Sequence, residues 1–316
     1  MAELIIVFRE VLEATLIVGI LYTYLNKIGQ NGAIIRVWQG VLVAIAASLL
    51  GSLLFHKFAG GFSGRAGKIF EGAVMITAAC ILGTMIVWMA KNSNVAGDLK
   101  DKAAEALKSD KVGYGIFALA FISVFREGIE TILFLYAVTT QKGGLSIPLS
   151  FFGAGLGIGA GYLIFIQGKK VPIKTFFNVS SAVLIFVAAG MLTYGVHELE
   201  SAKLIPYYGG KVSVEENQIV ATRLNGHSRI FDLDINKKDN DKILNNAHKW
   251  ASRIWDVNPP KNRDGTYPIL HDKGAIGGLL KGLFGYNGDP SGIELAVWVC
   301  AIFGMNFMWR KVSVLK

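Results

Sequence analysis

Val7-Phe8-Arg9-Glu10-Val11-Leu12-Glu13 returns as Val124-Phe125-Arg126-Glu127-Gly128-Ile129-Glu130, so the pattern V-F-R-E-x-x-E stands twice in the chain. Each copy is set in a stretch otherwise apolar enough to cross a membrane. A charge near the centre of a bilayer costs roughly 2.5 to 3.5 kcal/mol on insertion scales, and ionisable residues retained there have partners or a task. Six charges in two such stretches therefore point to function, and their repetition points to duplication of one ancestral segment.

The rest of the chain agrees with a membrane setting. Of 316 residues, 52% are hydrophobic and 17% charged, whereas soluble domains carry about 25% charged residues. Apolar runs of about 20 residues cross the roughly 30 Å hydrocarbon core as helices. Seven are predicted, near Leu4–Leu25, Ile34–Phe55, Ile69–Ala90, Gly113–Val138, Ile147–Ile166, Ile173–Gly195 and Ile293–Trp309. The first is not a signal peptide, because Met1-Ala2-Glu3 has no basic region and the run soon meets Arg9, Glu10 and Glu13. Cys80 and Cys300 both fall in predicted spans, which argues against a disulfide framework or a Cys-rich zinc site.

The net charge of +9 is explained by basic cytoplasmic loops rather than by a nucleic-acid partner. With the N-terminus outside, the cytoplasmic segments hold Lys27, Arg36, Lys91, Lys100, Lys102, Lys108, Lys111, Lys169, Lys170, Lys174, Arg310, Lys311 and Lys316. The short external loops hold only Lys57, Arg65, Lys68 and Lys142. This bias predicts a multi-pass protein of the plasma or cytoplasmic membrane, N-terminus outside and C-terminus cytoplasmic.

The motifs fall in spans one and four, which then run in opposite directions. The expected organisation is an all-α integral membrane protein: an inverted 3+3 repeat, residues 1–91 and 113–195, an extracytoplasmic region, 196–292, and a seventh transmembrane helix, 293–310. Gly40, Ala44, Ser48 and Ser52 in span two, and Gly153, Gly157 and Gly161 in span five, form small-residue stripes that let helix backbones approach closely. The glycines do not form a nucleotide loop, since G-x-G-x-x-G and a preceding strand are both missing. At 1.5 Å per residue, Glu10 and Glu13 lie roughly 10 to 15 Å from the outer end of their span, and Glu127 and Glu130 roughly 20 to 25 Å from the inner end of theirs. Both pairs reach a similar depth, so a site at the repeat interface is expected, as in many transporters.

Within 196–292, Gln218 to Asp234 reads as a hairpin around Asn225-Gly226, and Asp241–Ile254 as a short amphipathic helix. Ser291-Gly292-Ile293-Glu294 has capping-box spacing and should start the seventh span. Asp232, Asp234, Asn236, Asp239 and Asp241 do not make a calcium loop, because Lys237 and Ile243 stand where its glycine and last glutamate belong.

Residues three and four apart share a helix face, so each motif turn presents two carboxylates and one guanidinium. Together they carry a formal charge of −2, which a multivalent cation or a held proton would offset. Carboxylate oxygens suit hard cations, and neither turn supplies thiolate or imidazole. Ferric iron fits this donor set; manganese, calcium and magnesium fit it too. Arg9 and Arg126 cannot ligate a cation, but they orient the glutamates and favour their ionised forms. Ion pairing within each helix alone would explain Glu13 and Glu130 and leave Glu10 and Glu127 unexplained.

At these residues the sequence resembles the oxidase-dependent iron permeases, the microbial high-affinity iron transporter family. The resemblance includes both motifs, the seven-span layout, Glu71-Gly72 at the third span, His197-Glu198-Leu199 after the sixth, and Leu279-Leu280-Lys281-Gly282-Leu283-Phe284-Gly285-Tyr286 before the seventh. It implies uptake of ferric iron with Glu10, Glu13, Glu127 and Glu130 as ligands. It also implies iron as transported substrate with no cofactor, and an extracytoplasmic ferroxidase or iron-binding partner. The chain departs from the family pattern in having its second acid at Glu200 where Ser201 is expected, and in an insertion near 212–250. Glu71, His197, Glu198 and Glu200 are secondary candidates for an external metal entrance. An enzyme is not expected: a membrane di-iron oxidase would require Glu-x-x-His pairs, and the positions three after Glu10 and Glu127 are Glu13 and Glu130. A transporter or channel for ferrous iron, manganese or lead is the other alternative.

Overall fold

In the computed structural model, the described residues are 2–91, 95–108, 112–142, 144–165, 173–206, 211–215, 218–222, 228–232, 249–251, 254–255, 257–258, 267–272 and 274–314. Helices occupy all seven stretches expected to be apolar spans: α1 (Ala2–Lys27), α2 (Asn31–Ala59), α3 (Gly64–Lys91), α5 (Val112–Lys142), α6 (Ile147–Phe165), α7 (Ile173–Ser201) and α9 (Gly292–Val314). Two more complete the helical set among the described residues, α4 (Val95–Lys108) and α8 (Ala275–Phe284). Among the described residues five helices, α2, α3, α6, α7 and α9, are long and apolar enough to cross a membrane by length and composition. The motifs lie on α1, of 26 residues, and α5, of 31, about 39 and 46 Å long at 1.5 Å per residue.

Three close helix packings in the bundle run through small residues. α6 lies along α1, where a Cβ added at Gly153 would come 2.6 Å from the Leu4 carbonyl and one at Gly157 3.0 Å from that of Phe8. α2 lies along α5 in the corresponding way, with a Cβ at Gly40 meeting the Phe117 carbonyl at 2.7 Å. α3 and α7 meet at Gly72 and Gly195, each of which faces the other's carbonyl, at 2.9 and 3.0 Å from an added Cβ. At 2.6 to 3.0 Å any side chain at these positions would push the backbones apart, so the stripes seen in the sequence act as helix seams.

Two apolar clusters sit above and below the charged turns. One joins Ala2 and Ile6 of α1 to Phe134, Ala137 and Val138 of α5 and to the middle of α3 and α7. The other joins Leu21 and Leu25 of α1 to Ile116, Ala120 and Val124 of α5, to α2, and to Leu99 and Ala103 of α4. α1 thus runs from the first cluster to the second while α5 runs from the second to the first. The charged turns of both helices fall between, at one level.

Outside the bundle, β1 (Lys211–Glu215), β2 (Gln218–Thr222) and β3 (Ser228–Asp232) form an antiparallel sheet in that order. Pairing of Thr222 with Ser228 and Gln218 with Asp232 makes a hairpin of the expected stretch, one residue out of the register that a two-residue Asn225-Gly226 turn would set, and β1 adds a strand that the sequence reading lacks. The Asn-Gly turn, the acidic stretch after Asp232 and most of the expected amphipathic helix fall outside the described residues; of that helix, Lys249–Ala251 form a 3-10 turn. α8 ends at Gly285, whose φ of 69° places it in the left-handed region that glycine tolerates. A Cβ there would meet Gly190 Cα of α7 at 2.6 Å, so glycine is required by contact as well as by conformation. The Trp298 indole donates to the Phe284 carbonyl at 2.8 Å and ties α8 to α9.

Candidate metal site

The two R-E-x-x-E turns meet. Carboxylate oxygens of Glu10, Glu127 and Glu130 all lie within 4.8 Å of one another, and all three residues are buried. Glu13 stands beside this trio rather than inside it, with Oε1 2.9 Å from Arg9 Nη2. Arg9 Nη1 donates to Glu10 Oε1 at 3.0 Å. On α5, Arg126 Nε donates to Glu130 Oε1 at 2.7 Å. Arg9 is wholly buried, whereas the side chain of Arg126 is 52% exposed, with its guanidinium 5.9 Å from the centre of the Trp88 ring.

Hydrogen bonding leaves a deficit at this point. Among the described residues six buried polar side-chain atoms have no hydrogen-bond partner, and five belong to the motifs: Glu10 Oε2, Glu13 Oε1, Glu127 Oε2, Glu130 Oε2 and Arg9 Nε. The Glu13 oxygen is near Arg9 but off the line of its N–H bonds, so it has charge compensation without a hydrogen bond. Buried polar atoms are almost always paired, and unpaired ones call for an ion, a water or a functional role. One oxygen from each of four glutamates is in that condition here.

A second cluster lies at the C-terminal end of α7. Ligand atoms of His197, Glu200 and Glu294 also fall within 4.8 Å of one another. Here the network is closed. His197 Nδ1 is 2.9 Å from Glu294 Oε1, the Asn287 amide donates to Glu294 Oε2, and the Ser291 hydroxyl donates to Glu200 Oε1 at 2.6 Å. Ser291 and Glu294 form the expected capping box: the Glu294 amide donates to Ser291 Oγ at 3.1 Å and the Ser291 amide to Glu294 Oε2 at 3.3 Å. A cavity of about 350 Å³, lined by Trp255, Tyr286, Asn287 and Trp298 among others, opens beside Glu294. Burial, then the Asp272 carboxylate, raise the Tyr286 phenol above its usual range, so it stays a hydrogen-bond donor.

The expected entrance residues are therefore only partly assembled. His197 and Glu200 join the cluster, Glu198 does not, and Glu294, read from sequence as a helix cap alone, takes its place. Glu71 stands two turns inside α3, which starts at Gly64, so it is not a first-turn acid held by the helix dipole. Its charged neighbours are Glu198 and Lys68, and Glu71, Glu198, Asp272 and Glu294 all surround the Tyr194 hydroxyl electrostatically.

Residues 1–225 match the iron permease FTR1 family. The chain belongs to that family. Among curated proteins, this permease is 34% identical over 203 residues to the ferrous iron permease EfeU of Yersinia pseudotuberculosis, covering 63% of this chain and 71% of that one. It is 28% identical over 297 residues to the ferrous iron permease EfeU of Escherichia coli O6:H1, covering 93% and 89%. An uncharacterized protein of Archaeoglobus fulgidus is 28% identical over 308 residues, covering 96% of this permease and 94% of the relative. No solved structure matches. The family is one of iron permeases, so the chain is a multi-pass membrane protein of iron transport with iron as its substrate.

Proposed function

We propose that this permease imports ferric iron through a site made by Glu10, Glu13, Glu127 and Glu130, midway through seven spans arranged as two inverted three-helix repeats and a seventh helix. The observation that carries the reading is the carboxylate oxygen left without a hydrogen bond on each of the four glutamates, with Glu10, Glu127 and Glu130 gathered and Glu13 beside them where α1 and α5 cross between two apolar clusters. Hard oxygen donors without sulfur or imidazole favour a hard ion. The matched packing of α6 on α1 and α2 on α5, with α3 on α7 between the halves, supports the inverted repeat.

In this account Arg9 and Arg126 orient the glutamates until iron displaces them. Apolar clusters on both sides keep the ion from leaking through. The N-terminus and the cluster at the end of α7 face outward, following the excess of Lys and Arg on the opposite side. Glu71, His197, Glu198 and Glu200, with Glu294, form the entrance that receives iron from an extracytoplasmic ferroxidase or iron-binding protein. Neither motif offers the imidazole of a di-iron oxidase, and the protein acts as a transporter rather than an enzyme.

A specific observation favours one second reading: the bacterial relatives are named ferrous iron permeases. Uptake into proteoliposomes, measured side by side for ferric iron, ferrous iron, manganese and lead, separates the two. The proposal expects ferric iron to be taken up fastest, saturably and without oxygen consumption. Faster ferrous uptake replaces ferric iron by ferrous; uptake of manganese or lead alone removes iron from the account.

A further inference from the structure

The turn of α3 that passes the charged site carries Met85, Trp88 and Met89, and the methionines face Arg9. Arg9 Nη1 donates to Met85 Sδ at 3.2 Å and Nη2 to Met89 Sδ at 3.0 Å. Each terminal nitrogen of this fully buried guanidinium is therefore shared. Nη1 has Glu10 Oε1 at 3.0 Å and Met85; Nη2 has Glu13 Oε1 at 2.9 Å and Met89. Met85 and Met89 are four apart and so lie on one face of α3; Met85 is itself buried. Among the described residues Arg126 has no such sulfur pair: its neighbour on the same turn is the Trp88 ring.

A thioether is a neutral, weak acceptor. It gives an N–H a partner without adding a negative charge, and it binds the guanidinium less tightly than a carboxylate does. That combination suits an arginine that must let go of its glutamates. When a cation takes Glu10 and Glu13, a buried guanidinium with no other acceptor would be left with unpaired N–H groups, which is costly.

We propose that Met85 and Met89 are positioning residues that hold the Arg9 guanidinium when iron takes Glu10 and Glu13. The inference rests on the four-glutamate reading above. It makes the exchange of arginine for iron on α1 a property of α3, and it explains why the arginine of α1 is buried while that of α5 is not.

The test replaces both methionines by leucine, which keeps bulk and removes the acceptor, and by glutamine, which restores an acceptor oxygen. Iron uptake is measured in proteoliposomes at matched protein density, with Glu130→Ala alongside. The Met85→Leu/Met89→Leu protein is expected to show KM raised about tenfold with a maximal rate within about twofold of the parent, because Arg9 clings to its glutamates. Met85→Gln/Met89→Gln is expected to return KM towards the parent value. A purely structural role predicts the reverse order, leucine harmless and glutamine damaging, and that result overturns the inference. If the double glutamine protein does not assemble, Met85→Gln and Met89→Gln singly decide by the same comparison with their leucine counterparts. Full loss of uptake in Glu130→Ala with an unchanged KM in the leucine protein sinks the methionine cradle alone; normal uptake in Glu130→Ala sinks the site beneath it.

Discussion

Two clusters of similar residues sit in this molecule, and hydrogen bonding separates them. At the end of α7, Glu294 is met by His197, Asn287 and the Ser291 amide, and Glu200 by the Ser291 hydroxyl. Between α1 and α5, Glu10, Glu13, Glu127 and Glu130 each keep a buried oxygen with no hydrogen bond. The first cluster stabilises the protein as it stands, joining the end of α7 to the start of α9. The second is incomplete as protein alone, which is the condition of a site built for something that arrives.

That difference turns into opposite responses to the same change. Glu294→Gln breaks a closed hydrogen-bond network around a buried carboxylate and should destabilise the protein by about 1.5 to 3 kcal/mol, measured by thermal unfolding in detergent. Glu127→Gln removes one of several crowded charges, so the melting temperature should hold or rise. Its iron uptake should nevertheless fall at least about 100-fold, the upper end of what losing even a ligand's supporting partner costs. A melting temperature lowered equally by both variants would erase the distinction.

The two arginines sharpen it further. Arg9 is buried and engages both of its glutamates through separate nitrogens, so Arg9→Lys, which loses the fork, should slow uptake about tenfold, the scale of one charge-assisted hydrogen bond of roughly 1.5 kcal/mol. Arg126 is half exposed and pairs with Glu130 through Nε; Arg126→Lys should change uptake by less. The smallest effect belongs to Ser291→Ala, which should cost about 0.5 to 2 kcal/mol through the lost cap with little change in the KM for iron.

Much of this was legible in the sequence because it is written in repeats. The doubled motif marked the two charged turns that meet, the small-residue stripes marked α2 and α6 as close-packing helices, and Ser291 with Glu294 announced the start of α9. What stayed hidden depends on which chain segments meet. Glu294 satisfied a local role, so nothing in its neighbourhood pointed to His197 and Glu200 on another helix. Met85 and Met89 carry no signal in the sequence, because a thioether in an apolar helix is indistinguishable from packing until the Arg9 nitrogens are seen beside the sulfurs. The unequal burial of Arg9 and Arg126 was equally invisible, since the two motifs are alike and their surroundings on α3 are not. The helices α4 and α8 escaped because they are too short to register as spans; α4 packs Leu99 and Ala103 beneath α1 and α5.

Iron uptake by proteoliposomes carrying Glu10→Ala or Glu130→Ala, at protein densities matched to the parent, tests the central claim most directly. Neither variant is expected to move iron, although both remain in the membrane. Saturable uptake at the parent rate by both would contradict it.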